Sequence, residues 1–94
     1  MPKTFTIHPG DILLTEFMEP LGLTAYRLAK HLHVPLPRIY DIVRGRRSIT
    51  ADTAHRLGIY FGLPPQFWLN LQNEHDLRIA KSAELSRIKH HLAA

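Results

Sequence analysis

The sequence predicts an all-α protein, one domain built of five helices. Strand-type alternation is nearly absent: only Thr4-Phe5-Thr6-Ile7 alternates polar with apolar residues, and four residues are too few to anchor a sheet. Elsewhere the apolar residues recur at helical spacing. Prolines and glycines fall between those stripes, where helices start and stop. A chain of 94 residues can enclose a single modest core. The domain is expected to occupy residues 1–94, with its core over about 7–80 and a helical C-terminal extension over 81–94.

The first helix starts near Pro9, a first-turn position where a missing N–H has no intrahelical partner to lose. Leu13, Phe17 and Leu21 lie roughly along its inner face, and Pro20 makes Glu19 the expected last helical residue. The second helix runs from Ala25 to Leu32, with Thr24 as N-cap and Leu28, Ala29 and Leu32 turned inward. The third begins at Pro35 or Pro37. Leu36 precedes a proline and is biased away from the αR region, which favours Pro37 as the start. This helix runs to about Arg44, with Gly45 in the left-handed position that ends it. The fourth follows Thr50 as N-cap, with Asp52 against the positive end of the helix dipole. Its Ala54, Leu57, Gly58 and Phe61 are spaced i, i+3, i+4, i+7, and Gly62 closes it.

The fifth helix starts at Pro64-Pro65. Its Phe67, Trp68 and Leu71 read as core packing, because aromatic side chains bring large burial terms. Helical character continues toward Leu92 through the stripe Leu85, Ile88, Leu92, which is expected to be a partner surface. No proline or glycine there decides between one helix and two.

Composition narrows the function. No cysteine is present, so neither a disulfide nor a thiolate metal site is available. The apolar runs fall far short of the ~20 residues that span a membrane. The start, MPKTFTIHPG, has no sustained apolar stretch of the signal-peptide kind, so the expected location is the cytoplasm. Net charge is +4, unevenly placed. Residues 24–56 hold seven lysines and arginines against Asp41 and Asp52, whereas residues 1–23 are net acidic. A polyanion would be drawn to the middle third of the chain.

That basic third contains two helices of about eight residues joined by a very short turn. This is the spacing of a helix-turn-helix, whose second helix can enter a DNA major groove. Ala29 is small where the two helices approach, and Val34, Ile39 and Ile42 are apolar where the second packs back on the first. The turn position normally suits glycine in a left-handed conformation. Here it is His33, a residue type that visits that region more often than most. On the second helix Ile39, Ile42 and Val43 share the inner face. Pro37, Tyr40, Asp41 and Arg44 project outward with Arg38 at the flank, and Arg46 and Arg47 follow in the loop.

Phosphate contacts set register and affinity, whereas contacts to base edges select sequence. Arg44, Arg46 and Arg47 are expected on phosphates, and Arg38 on a guanine edge. Tyr40 and Asp41 are candidate base readers, Asp41 by accepting from a cytosine amino group. Leu36 and Pro37 can touch a thymine methyl but read no hydrogen-bond pattern. Thr24, Ala25 and Pro35 complete the expected DNA-contact set. With so few polar readers, part of the recognition is expected to depend on DNA shape.

Linked motifs carry a resemblance over roughly Ile7 to Ala80. They are HPG with its following acidic helix, EPLGLT, the helix-turn-helix from Ala29 to Ile42, RGRRSITADTAHRL, and the distinctive FGLPPQFWLNLQ. In these the chain resembles the HigA family of antitoxins, within the Xre or lambda-repressor-like helix-turn-helix superfamily. The resemblance implies a five-helix DNA-binding domain that forms a homodimer. It implies repression of its own operon at a palindromic operator, and neutralisation of a HigB-like toxin of the RelE-like fold, a ribosome-dependent mRNA endonuclease. Two recognition helices would then sit about 34 Å apart, one DNA turn. A stand-alone Xre-type regulator without a toxin partner is the alternative.

Other readings fare less well. His31 and His33 straddle a turn and His90-His91 are adjacent, so neither pair has the i, i+3 or i, i+4 spacing of a helical zinc site. They are expected to be turn residues near DNA that add charge at lower pH. No nucleophile stands with a base and no glycine-rich phosphate loop exists, so neither enzymatic activity nor a cofactor is expected. A histidine-dependent ribonuclease would degrade RNA. A pure protein-binding module would keep its DNA affinity unchanged when Arg46 and Arg47 become alanine.

Overall fold

The computed structural model describes residues 7–91, and among them every regular element is helical. Most of the alternating Thr4–Ile7 segment, and Leu92, lie outside the described residues.

Helix α1 is continuous but changes pitch, running α-helical over Pro9–Ile12, π-helical over Leu13–Met18 and 3-10 over Glu19–Leu21. His8 caps it, its Nδ1 accepting from the Gly10 N–H at 2.9 Å. The change of pitch answers Pro20. In an α-helix the proline ring would press on the carbonyl four residues back. The wider turn, in which the Glu19 N–H donates to the Leu14 carbonyl, relieves that contact. It also carries the helix past Glu19, the expected last residue, to Gly22 at φ 66°. The inner face shifts with it. Leu13 and Met18, five residues apart, are buried, whereas Leu21 is 64% exposed and Phe17 only half-buried.

Helix α2 spans Ala25–Leu32, with the Thr24 hydroxyl accepting from the Arg27 N–H at 3.1 Å. His33 ends it at φ 60°, the one non-glycine residue with positive φ among those described. There Val34 N–H donates to the Ala29 carbonyl and His33 N–H to that of Lys30, a Schellman closure.

Helix α3 spans Leu36–Val43 with Pro35 as N-cap, so it starts one residue before the favoured Pro37. The bias on a residue before proline is a preference, and a first-turn proline forfeits no helical bond. Arg38, the first residue after it with an N–H, donates to the Pro35 carbonyl.

Helix α4 spans Ala51–Phe61 and ends at Gly62. Thr50 has the extended N-cap backbone, but its side chain makes no capping bond. Helix α5 spans Pro65–Ala80. Beyond it Lys81 is extended, and among the described residues there only Ala83–Arg87 forms a helix again, of the 3-10 kind. Over its described part, 81–91, the expected helical extension is therefore helical for one short stretch. Leu85 and Ile88 are exposed, and without an apolar face to bury a helix loses most of its support.

The core lies where the five helices converge, with Leu13, Leu28, Ile39, Ile42, Leu57 and Trp68 wholly buried. Trp68 sits among Phe17, Phe61 and Phe67 at ring separations of 4.8, 6.0 and 5.0 Å. Its indole N–H has no hydrogen-bond partner there. Phe67 and Leu71 pack against the same core, as the sequence leads one to expect.

Candidate nucleic-acid interface

Helix α3 is fastened on its inner side and bare on its outer side. Ile39 and Ile42 are fully buried and Ala29, on α2 behind them, is 2% exposed. Pro35, Leu36, Pro37, Tyr40 and Arg44 are exposed, and Asp41 is half-buried at the edge. Thr24, exposed, and Ala25, half-buried, mark the start of α2. The chain leaves α3 through a second Schellman closure: Arg46 N–H donates to the Asp41 carbonyl at 2.8 Å and Gly45 N–H to that of Ile42 at 3.0 Å, with Gly45 at φ 76°. This reversal exposes Arg46 and Arg47 just past the end of the helix.

The charged groups are organised in pairs. Arg44 donates to the Tyr40 hydroxyl at 2.7 Å, and its guanidinium lies 4.8 Å from the ring centre. Arg47 stands 3.7 Å from the Asp41 carboxylate. Arg38 is bound to Asp52 at 2.6 Å, and the same carboxylate oxygen accepts from Arg56 Nε at 2.9 Å. Arg56 reaches on to the Leu32 carbonyl at the end of α2, at 2.8 Å. Hydrogen bonds from Arg56 and then Arg38 hold the Asp52 carboxyl below the ordinary carboxylate range. Arg46 makes no ion pair among the described residues. His31, exposed, stacks on Tyr60 at 5.4 Å.

Behind the arginine loop runs a buried polar link. Gln72 of α5, 4% exposed, accepts from the Ile49 N–H at 2.7 Å through Oε1. Its Nε2 donates to Asp76 at 2.9 Å, and His75 also approaches Asp76, at 3.2 Å. The Gln72 amide, then His75, lowers the Asp76 pKa. His75 meets the His8 ring edge-on at 4.9 Å. Burial, then its neighbour His75, lowers the pKa of His8. The α3–α4 loop is thereby tied to α5. Gln72→Leu is expected to leave the Ile49 N–H buried and unpaired, at a cost of ~1–3 kcal/mol. Calorimetry should then show the melting temperature falling by several degrees; an unchanged value would mean that the loop does not depend on this bond.

The outward row of α3 and Arg44, Arg46 and Arg47 lie together, as the spacing leads one to expect. Arg56 and Gln72 are additions that the structure makes to this surface and its support. The i, i+4 pair Asp52–Arg56 was a readable signal for the first. A buried glutamine has no signature in a single sequence.

An exposed recognition helix, a small-residue seat behind it and arginines at its end define the helix-turn-helix class of DNA-binding regulators, which are not enzymes. Residues 14–68 match the helix-turn-helix family model. The chain belongs to that family, among its HigA-like antitoxins. It is 54% identical over 80 residues to virulence-associated protein I of Dichelobacter nodosus, covering 85% of this chain and 74% of that one. The Pseudomonas aeruginosa protein PA4674, solved in complex with its operator DNA, superposes with a TM-score of 0.86 at 41% identity, over 92% of this chain and 97% of its own. The P. aeruginosa antitoxin HigA, solved with the higBA promoter, gives 0.84 at 44% identity, over 94% and 96%.

Proposed function

We propose that the protein is the antitoxin of a two-protein module, repressing its own operon and neutralising a toxin. As a homodimer it binds a palindromic operator, placing one α3 in each half-site. Arg44, Arg46 and Arg47 hold phosphates, while Leu36, Pro37, Tyr40 and Asp41 face the base edges. The toxin is a RelE-like mRNA-cleaving protein. The observation that carries this reading is the similarity, along nearly the whole chain, to an antitoxin solved with the higBA promoter. The exposed outer row of α3 and its arginine-bearing exit agree with it.

A mobility-shift titration tests the DNA half. The upstream region of the gene is expected to bind far tighter than a scrambled duplex, and log affinity should fall linearly with log salt. Equal binding of both duplexes at every salt concentration would refute operator recognition. Co-expression tests the other half: the product of the adjacent small gene should arrest growth alone and co-purify with this protein harmlessly. An adjacent gene whose product neither arrests growth nor co-purifies would leave a stand-alone repressor.

A further inference from the structure

Arg38 sits on the recognition helix, yet its guanidinium does not join the outward row. It is drawn sideways to Asp52, on α4, at 2.6 Å. Asp52 is itself steadied by Arg56 at 2.9 Å, and Arg56 is anchored on the Leu32 carbonyl. One chain of contacts thus runs from the end of α2 through α4 to α3. Arg38 and Asp52 line a cleft of about 300 Å³ with Arg47, Ser48, Thr50 and Thr53. Two arginines and three hydroxyl-bearing residues thus share one cleft with the Asp52 carboxylate, and the Thr50 side chain makes no capping bond to α4. Such a recess suits a tetrahedral, monoanionic phosphodiester, whose oxygens accept from arginines and hydroxyls together.

We infer that Asp52 is a positioning residue for DNA recognition: it withdraws Arg38 from the base edges and sets it, with Arg47, to clamp a backbone phosphate in the cleft between α3 and α4. This rests on the DNA-binding reading above and replaces the guanine-edge role expected for Arg38 from sequence. It makes the base-facing surface smaller, limited to Leu36, Pro37, Tyr40 and Asp41. It also gives an acidic residue a favourable part in binding a polyanion. A carboxylate acting only as a charge would weaken DNA binding. One acting through Arg38 strengthens it, so the two accounts predict opposite signs.

The test is a set of titrations on the operator and a scrambled duplex across a salt series, for the parent, Arg38→Ala, Asp52→Asn, Asp52→Glu and Arg38→Ala/Asp52→Asn. Removing one phosphate contact should weaken both duplexes about eightfold at 0.1 M salt and flatten the salt slope by about 0.9. Arg38→Ala is expected to do this and to leave the operator-to-scrambled ratio within about twofold. Asp52→Asn should weaken binding in the same direction, at least about threefold. Asp52→Glu should restore part of the loss, and Asp52→Asn should change little once Arg38 is alanine. Melting temperatures taken alongside check that each variant is folded. The inference is overturned if Asp52→Asn tightens binding with or without Arg38. It is also overturned if Arg38→Ala lowers the operator-to-scrambled ratio tenfold or more, as loss of a guanine contact would. A parent protein that binds no duplex at low salt would instead overturn the DNA-binding reading itself.

Discussion

Gly10→Ala is expected to lower the melting temperature by roughly 5–20 °C. A Cβ built on Gly10 falls 1.8 Å from the Ile42 carbonyl oxygen and 3.0 Å from the Val43 Cα. Those are backbone atoms of α3, so no side chain can rotate away. Either α1 or the recognition helix must move bodily. Overpacking of this kind costs ~1–3 kcal/mol, occasionally more, and the contact here is backbone on backbone. Alanine would gain up to ~1 kcal/mol in helix propensity over glycine, which is too little to offset it. Thermal unfolding followed by circular dichroism checks the result. A variant that melts within a few degrees of the parent would show that α1 and α3 are not held this closely.

Arg46→Ala/Arg47→Ala is expected to leave the fold alone and to remove most of the DNA affinity. Both side chains are exposed, and the pairing of Arg47 with Asp41, at 3.7 Å, is of the exposed kind that contributes little to stability. Each lost phosphate contact removes about 0.9 decade of affinity at 0.1 M salt. The double variant should therefore bind operator and scrambled duplexes roughly 60-fold more weakly, with a salt slope shallower by about 1.8. Titration by mobility shift at three salt concentrations suffices. If affinity survives intact, the basic loop is incidental and the phosphate assignment fails.

Much of this was legible in the sequence because helix ends are written in local chemistry. Thr24, Gly45 and Gly62 stop or start helices where they are expected to, and Ala29, Ile39 and Ile42 face inward as their spacing requires. What escaped was set by longer reach. The π-helical turn in α1 depends on how Pro20 is accommodated within a helix that must still present Leu13 and Met18 to the core. The end of α5 at Ala80 is marked by no residue; the helix stops where its apolar face has run out of partners. At the interface, the composition of the outward row was readable, but the side-chain pairing was not. Nothing in a periodic pattern says that Arg38 will turn toward a carboxylate fourteen residues on.

The chain carries a single tryptophan, and that residue lies wholly inside the aromatic cluster with its indole N–H in an apolar setting. Its intrinsic fluorescence is therefore a built-in gauge of folding. Excited at the red edge of indole absorption, where tyrosine scarcely responds, the native protein should emit in the blue and resist aqueous quenchers. Duplex added at the α3 face should leave that emission nearly unmoved, while denaturation should shift it to the red. The state of the core and the occupancy of the surface can thus be read on separate channels in one cuvette.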